Sequence, residues 1–308
     1  MNMNKLFRFL RPTDLLIIIF INCLSLLSVL FFFGSSASNL IVVINLIVTV
    51  LIITLSFNIK DDKRKLLRII SEWYPIPMIF FIFKEVHVII QSLGRNDWDN
   101  LLINIDRTIF GCDPTVWLAN YSHPILTEIL QISYASYYFI MLVVGMELYL
   151  RKEYEEFNFA VFTIVYGFVL SYIGYLLFPA VGPRFTLHDF YSMNTDLPGI
   201  WLTTTIRDLI NAGESIPRGA INAMSLAQRD VFPSGHTQMT LISMYLARQY
   251  KIKSRYIIYI LGVLLIFSTV YLRYHYVVDV IGGILFMIFT LWSAPKLFKL
   301  SVKIKNNI

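Results

Sequence analysis

Long, uninterrupted apolar runs alternate with short polar connections along most of the chain. Each run of about 20 residues can cross a hydrocarbon layer about 30 Å thick as a helix, and its continuity differs from the alternating pattern of a membrane β-barrel. The pattern therefore predicts an all-α, polytopic membrane helix bundle. The predicted spans are residues 15–33, 40–57, 69–90, 125–150, 157–178, 236–250, 256–272 and 276–294.

Composition supports this class. Hydrophobic residues make up 56% of the 308 positions and charged residues only 15%, whereas about 25% charged is usual in soluble domains. The mean hydropathy is +0.64. The net charge of +6 fits Lys and Arg gathered on cytoplasmic loops better than nucleic-acid binding. The two cysteines, Cys23 and Cys112, lie far apart in sequence and predict neither a disulfide nor redox chemistry.

Charge on the connections predicts the orientation. With the N-terminus in the cytoplasm, 18 of the 26 Lys and Arg residues fall on cytoplasmic segments, namely 5–11, 60–68, 151–152, 248–255 and 296–305. The apolar run 15–33 is longer than the core of a signal peptide, which favours a retained anchor. We predict one integral membrane domain, 1–308, with an accessory helix hairpin at 1–60 and a six-helix core at 69–296.

Two segments on the predicted outer face are more than linkers. Residues 96–121 mix Trp and aliphatic residues with acids, as a helix in the membrane interface does. This helix is interpreted as a cover for the bundle, with substrate binding as the alternative. Residues 179–232 form a connection of the length typical of lids and binding loops, and 199–210 within it predicts a short interfacial helix.

The sequence Pro-Ser-Gly-His at 233–236 leads directly into an apolar run. The unpaired N–H groups at a helix N-terminus can bind an anion such as phosphate. Gly235 allows the backbone to approach a ligand closely, and the Ser234 hydroxyl can add a donor. Alternatively, the motif is a plain turn, with Ser234 as the helix cap and His236 as an interfacial residue.

His275 and Asp279 stand four residues apart where the last apolar run begins. On a helix this spacing places both on one face, so the carboxylate can accept a hydrogen bond from one ring nitrogen and leave the other nitrogen basic. A carboxylate in a membrane-facing segment is costly and suggests function. A structural His–Asp pair that ties helices together is the alternative.

Arg184 and Arg273 lie on the predicted outer face next to apolar segments. A guanidinium group holds phosphate oxygens with paired donors and keeps its charge when desolvated. Both are candidate phosphate-binding residues, with nonspecific contact to lipid headgroups as the alternative. Arg207, Arg218 and Arg229 on the long loop are weaker candidates, interpreted as solvated, with a catalytic role as the alternative.

The motifs resemble those of the type 2 phosphatidic acid phosphatase and vanadium haloperoxidase superfamily. That family's P-S-G-H motif is intact at 233–236. Its S-R-x5-H-x3-D motif is matched at Ser268, His275 and Asp279, with Thr269 in place of the arginine.

The remaining family motif, K-x6-R-P, is matched only at Arg184, with Leu177 at the lysine position and Pro183 before the arginine. Arg273 is a candidate replacement for the arginine missing at 269. Together with Asp-Arg-Thr-Ile-Phe-Gly at 106–111 and the extra N-terminal spans, the pattern resembles the branch that contains inositol phosphorylceramide synthases. The resemblance covers about residues 97–294.

The resemblance implies roles for these residues. His275 would attack phosphorus to give a phosphohistidine, Asp279 would orient His275, and His236 would protonate the leaving oxygen. It also implies a phosphate-binding group and no metal or cofactor. The implied phosphate-binding residues are Arg184, Arg273, Ser234 and Gly235.

The expected function is a membrane lipid phosphatase acting at the extracytoplasmic face on a lipid phosphate or phospholipid, without nucleic acid. One alternative is a phosphotransferase of the inositol phosphorylceramide synthase type, which moves a phospho-headgroup to a lipid hydroxyl. Another is a non-catalytic lipid-binding or transport protein on the same fold. The expected location is a bacterial plasma membrane, with a Golgi-type membrane as the alternative.

Overall fold

The structure is a computed structural model that describes residues 9–58 and 65–307, the last four as backbone only. Every regular element in these ranges is helical, which confirms the all-α prediction. Of the predicted cytoplasmic Lys and Arg residues, those at positions 5, 8, 60, 63 and 64 lie outside the described residues. The predicted orientation stays a prediction.

The chain divides into two compact units. The first comprises residues 1–95, 154–170 and 289–308, and the second comprises residues 96–153 and 171–288. The predicted division into a hairpin at 1–60 and a core at 69–296 stays a prediction. The helices that begin in the first unit's N-terminal segment are α1 (Pro12–Phe32), α2 (Ser36–Asn58), α3 (Lys65–Trp73) and α4 (Pro75–Leu93).

Polar contacts hold the helices of the first unit together, where α1 packs against α2 and α4. Asp14 accepts the N–H of Arg11 at 2.8 Å, as a capping carboxylate at the start of α1, and the hydroxyl of Tyr74 at 2.7 Å. Asn45 of α2 donates to the Ile21 carbonyl at 2.9 Å and to Glu85 of α4. Buried polar groups in a membrane helix need such internal partners.

The second unit contains the shorter helices and the candidate site. Two long helices, Tyr154–Leu177 and Val277–Asn307, have residues in both units, and the division falls at Leu170 and at Phe289 respectively. The remaining elements, in chain order, are α5 (Asp99–Phe110), α6 (Pro114–Ala119), α7 (Pro124–Ala135), α8 (Tyr137–Leu150), α9 (Tyr154–Leu177), α10 (Pro183–Thr186), a 3-10 turn (Phe190–Ser192), α11 (Met193–Asp196), α12 (Thr203–Gly213), α13 (Ala223–Leu226), α14 (Gly235–Gln249), α15 (Arg255–Tyr271) and α16 (Val277–Asn307).

Packing in the second unit brings distant segments together. Helix α14 packs against α15 and α8, and α7 packs against α15 and α12. One buried cluster joins α5 to the segments on either side of the site, through Leu102, Ile103, Val231, Tyr276 and Val278. Helix α5 therefore lies beside both segments that carry the candidate histidines.

Five helices in the described ranges are long and apolar enough to cross a membrane: Pro12–Phe32, Ser36–Asn58, Lys65–Leu93, Tyr154–Leu177 and Val277–Lys303. Helices α7 and α8 form a sixth candidate, bent by 45°. Helices α14 and α15 occupy two further predicted spans, but they have only 15 and 17 residues, fewer than the roughly 20 that span a bilayer. The total of eight stays a prediction.

Helices form in both outer segments, as α5 and α12. On α5 the acids Asp99 and Asp106 are buried, while Leu101 and Ile109 are exposed by 44% and 54%. An exposed apolar face suits a membrane interface, and the buried acids need partners inside the protein.

Candidate active site

The two candidate histidines meet at the N-terminal ends of α14 and α16. His236 is the second residue of α14, and His275 lies two residues before α16. Nε2 of His275 lies 3.5 Å from Nδ1 of His236. His275 is buried and His236 is half-buried. Both rings can therefore contact the same small group of a substrate.

A backbone carbonyl is the closest partner of the His275 ring. Its Nδ1 lies 3.0 Å from the Val231 carbonyl oxygen and 3.5 Å from Oδ2 of Asp279. Because a carbonyl oxygen only accepts, Nδ1 carries the hydrogen and Nε2 keeps its lone pair. Asp279 Oδ2 also accepts the Tyr276 N–H at 2.7 Å. The structure thus brings His275 and Asp279 together and adds Val231, which the spacing alone does not indicate.

The turn between α15 and α16 fixes the backbone of His275. Arg273 adopts a left-handed conformation, with φ of 67°, and reverses the chain directly after α15 as a C-terminal helix cap does. The Thr269 carbonyl accepts the N–H groups of Tyr274 and His275, both at 2.9 Å. Thr269 stands where the resembled motif has an arginine, and here its backbone contributes to the turn.

Ser234 and Gly235 hold the start of α14. The Ser234 hydroxyl accepts the Thr237 N–H at 3.2 Å, as a helix cap, and the Ser234 N–H donates to the Asp279 carbonyl at 3.0 Å. Gly235 packs so closely against the Tyr175 hydroxyl that a Cβ at this position would overlap it. A direct contact of Ser234 or Gly235 with phosphate stays a prediction.

Aromatic rings fix the plane of His236. The ring of Tyr134 stacks on it at 4.5 Å between centroids, and the ring of Tyr137 lies 4.2 Å away on a tilt of 36°. The Tyr137 hydroxyl donates to the Gly235 carbonyl at 3.2 Å. These contacts restrict rotation of the His236 side chain.

Arg184 is buried at the start of α10. Gly182, with φ of 93°, makes the preceding turn, and a Cβ there would lie 2.9 Å from the Tyr274 carbonyl oxygen. The Arg184 guanidinium forms an ion pair with Glu214, donates to Asn211 at 3.2 Å and lies 5.1 Å from the centre of the Tyr274 ring. In the free protein, this arginine therefore already has an acidic partner.

The other arginines differ in their surroundings. The side chain of Arg273 is buried and forms an ion pair with Asp196 at 2.8 Å. Arg218 is exposed, and Arg229 is partly buried in an ion pair. The interpretation of Arg207 as a solvated residue is wrong, because it is 4% exposed and donates to the backbone carbonyls of Met193 and Leu197, at the two ends of α11.

Two acids on α5 hold the backbone on both sides of the site. Asp99 accepts the N–H groups of Val181 at 3.0 Å and Gly182 at 2.8 Å. Asp106 accepts those of Val277 at 2.9 Å and Val278 at 2.8 Å, at the start of α16. Asp99 thus fixes the turn before Arg184, and Asp106 fixes the helix that carries Asp279.

The positions of the acids on α5 do not by themselves predict that Asp99 and Asp106 accept backbone N–H groups beside the site. Asp99 and Asp106 lie seven residues apart, so they share one helix face with Leu102 and Ile103. Acids on the face that carries buried apolar residues are the signal in the sequence. Burial raises the pKa of Asp106 above its ordinary value, although the two backbone N–H groups oppose this shift.

Two further carboxylates act on the site electrostatically. Burial, followed by the charge of Glu214, raises the pKa of Asp230 to about 7, while His275 and Arg184 lower it. Burial lowers the pKa of His275 to about 4, with Asp230 and Glu214 opposing the shift. His275 is therefore neutral at neutral pH. Neither carboxylate is part of a recognisable motif, since both lie in the irregular segments of the long loop.

In the part of the chain that the structure describes, no group of three or more His, Cys, Asp or Glu side chains has a geometry that could hold a metal ion.

The family model of the PAP2 superfamily matches residues 100–293, more than half of the chain. This match confirms the superfamily that the motifs resemble and supports a phosphatase-type activity on lipid phosphates. The inositol phosphorylceramide synthase-like branch stays a prediction. No curated protein and no solved structure matches the chain.

Proposed function

Because the chain belongs to the PAP2 superfamily, we propose that it is a membrane phosphatase that hydrolyses a lipid phosphate at the extracytoplasmic face. The distance of 3.5 Å between Nε2 of His275 and Nδ1 of His236 carries the proposal. The neutral His275 ring has its hydrogen on Nδ1 and a lone pair on Nε2, which is the state that a nucleophilic imidazole needs.

In the first step, Nε2 of His275 attacks phosphorus and the bond from phosphorus to the lipid oxygen breaks. His236 gives a proton to the leaving oxygen, so the lipid departs as an alcohol. In the second step, His236 takes a proton from water, the water oxygen bonds to phosphorus, and the phosphorus–nitrogen bond breaks to release phosphate. Asp279 and the Val231 carbonyl stabilise the positive charge on the ring, on the side of Nδ1.

Substrate binding has to separate the two rings. In an in-line displacement, the entering nitrogen and the leaving oxygen lie on opposite sides of phosphorus. Since the two ring nitrogens lie 3.5 Å apart, phosphorus has no room between them in the free protein. We therefore expect the His236 ring to move along the face of Tyr134 when substrate enters.

Arg184 is the proposed phosphate-binding arginine. Its planar guanidinium has five donors, of which Glu214 and Asn211 use only some. A phosphate oxygen that approaches Arg184 competes with the Glu214 carboxylate for the N–H donors and the positive charge of the guanidinium group. The ion pair therefore keeps the buried guanidinium neutralised until substrate arrives.

The test uses purified protein in detergent with a phosphorus-labelled lipid phosphate, with and without a hydroxylated lipid acceptor. Release of free phosphate supports hydrolysis, label in a new lipid supports the transferase alternative, and no turnover supports a non-catalytic protein. We expect His275→Ala to reduce turnover by at least about 1000-fold. His188→Ala, a histidine on the long loop that contacts Thr115, serves as the matched control. Full activity of the His275 variant would exclude the proposed nucleophile.

A further inference from the structure

A cavity of about 230 Å³ lies next to the candidate active site and shares Arg184 and Tyr274 with it. Its other polar lining residues include Arg207, Asn194 and Asn211. One buried water needs only about 10–15 Å³ of such volume, so the cavity has room for a group of phosphate size. Neither His236 nor His275 lines the cavity, which places it beside the reacting nitrogens and not around them.

Arg207 is a buried cation in this cavity wall without an acidic partner. Its guanidinium donates to the carbonyl oxygens of Met193 and Leu197, both at 3.1 Å, and to the side-chain oxygen of Asn194. Within the described ranges no carboxylate lies within ion-pair distance of it, and the side chain of Tyr274 is its further polar neighbour. Burial lowers the pKa of Arg207, which is the effect of an uncompensated buried charge.

The other arginines of the cavity differ in this respect. Arg184 pairs with Glu214, and Arg218 at the exposed edge lies 3.6 Å from Asp208. A buried charge without a counter-ion is energetically unfavourable. An anion that enters the cavity would therefore gain most from Arg207.

A second buried donor beside Arg207 supports the same ligand chemistry. The hydroxyl of Tyr274 is buried beside the side chains of Arg207 and Gln131. Tyr274 lines the cavity and directly precedes His275. A hydroxyl donor and a guanidinium donor in one cavity wall fit an oxyanion.

Helix α12 holds Arg207 in position. The Glu128 carboxylate of α7 accepts the N–H groups of Ile200 at 2.8 Å and Leu202 at 2.7 Å, and the hydroxyl of Thr203 at 2.7 Å. These bonds fix the N-terminal end of α12, whose buried residues are Thr203 and Arg207. The cation is thus part of a built site and not of a mobile loop.

We propose that this cavity is a second oxyanion subsite, in which Arg207 and Tyr274 hold a phosphate-type group beside the phosphoryl group that reacts. The inference rests on the proposed function for the identity of the reacting group. The substrate is then a lipid with a second phosphate group, such as a lipid diphosphate. A free oxyanion, including released phosphate, has the same chemistry and is the other source of the ligand.

The kinetic test compares dodecyl phosphate with dodecyl diphosphate for the full-length protein in detergent. We expect Arg207→Gln to raise KM for the diphosphate at least tenfold and to change KM for the monophosphate less than threefold. Arg107→Gln is the matched control, because Arg107 is an exposed arginine in an ion pair with Asp113, and should alter neither value. Equal losses on both substrates, or no loss on either, would overturn the second subsite.

The binding test does not depend on turnover. We expect inorganic pyrophosphate to raise the melting temperature of the His275→Ala protein, and Arg207→Gln in that background to remove the shift. If the Arg207 variant does not fold, Tyr274→Phe provides the same comparison with a preserved ring.

A melting shift with pyrophosphate but no turnover would refute the proposed function and retain the subsite. The absence of any shift would refute the subsite, while phosphate release in the kinetic test would still support the function. A shift with inorganic phosphate, without a lower KM for the diphosphate, would assign the subsite to free phosphate.

Discussion

Replacement of Asp106 by Asn tests whether α5 positions the candidate catalytic residues. The carboxylate accepts two backbone N–H groups at the start of α16, at 2.8 and 2.9 Å. Each hydrogen bond to a charged group contributes about 1.5–3 kcal/mol. Asn keeps one acceptor oxygen but turns an NH2 group towards the other N–H, so one bond is lost and the other becomes neutral.

Burial of the carboxylate offsets part of this loss. The pKa of Asp106 is raised, so keeping the carboxylate ionised costs stability at pH values above its ordinary pKa. Asn does not bear this cost. We therefore expect a net loss of about 2 kcal/mol, which corresponds to roughly a 30-fold fall in kcat if it is fully transmitted to the transition state.

The assay measures kcat, KM and melting temperature on a short-chain lipid phosphate. A positioning role predicts that kcat falls while KM changes less than about twofold and the shape of the pH profile is retained. Asp113→Asn is the matched control, since Asp113 pairs with the exposed Arg107, and should alter kcat less than twofold. If the melting temperature falls but kcat per folded molecule is unchanged, the carboxylate stabilises the fold without positioning the site, and the reasoning is refuted.

Three further substitutions test the electrostatics of the site. Asp230 has a raised pKa of about 7, so its charge forms as pH rises through 7 and stabilises the positive ring of His275. We expect kcat/KM to rise through this range in the wild type and not in Asp230→Asn, as a pH–rate profile would show. Glu214→Gln releases the side chain of Arg184 and should lower KM for the lipid phosphate several-fold in steady-state kinetics, whereas a raised KM would contradict competition between the two anions. His236→Ala should reduce turnover of alkyl phosphates at least tenfold more than that of p-nitrophenyl phosphate, because only a poor leaving group needs a proton; equal losses on both would argue against the acid role.

Local patterns were sufficient to predict the all-α fold class and to single out His236, His275 and Asp279, which the structure brings together. Apolar runs predict where helices form, since a membrane helix satisfies its own backbone. The His275–Asp279 pair and the turn before His236 are also local, because each is set by spacing within a few residues. These parts of the fold and site can be deduced from the sequence without knowledge of its tertiary contacts.

The partners of these residues come from distant segments and could not be deduced in the same way. The Val231 carbonyl contacts His275 from 44 residues away, and Glu214 reaches Arg184 across 30 residues. A carbonyl oxygen has no signature in the sequence, because every residue has one. The burial of Arg207 could not be predicted for the same reason, since its partners include the backbone carbonyls of Met193 and Leu197.

The acids around the site serve the backbone more than the substrate. Asp99, Asp106 and Glu128 each accept at least two backbone N–H groups, in the turn before α10 and at the starts of α16 and α12. Irregular backbone close to a membrane has to find its partners within the protein, and one carboxylate can accept several N–H groups at once. Each acid thereby fixes the segment that presents a functional side chain. The carboxylates of Asp99, Asp106 and Glu128 are thus engaged as acceptors for the backbone, whereas the pKa of Asp230 lies at about 7 and its charge changes near neutral pH.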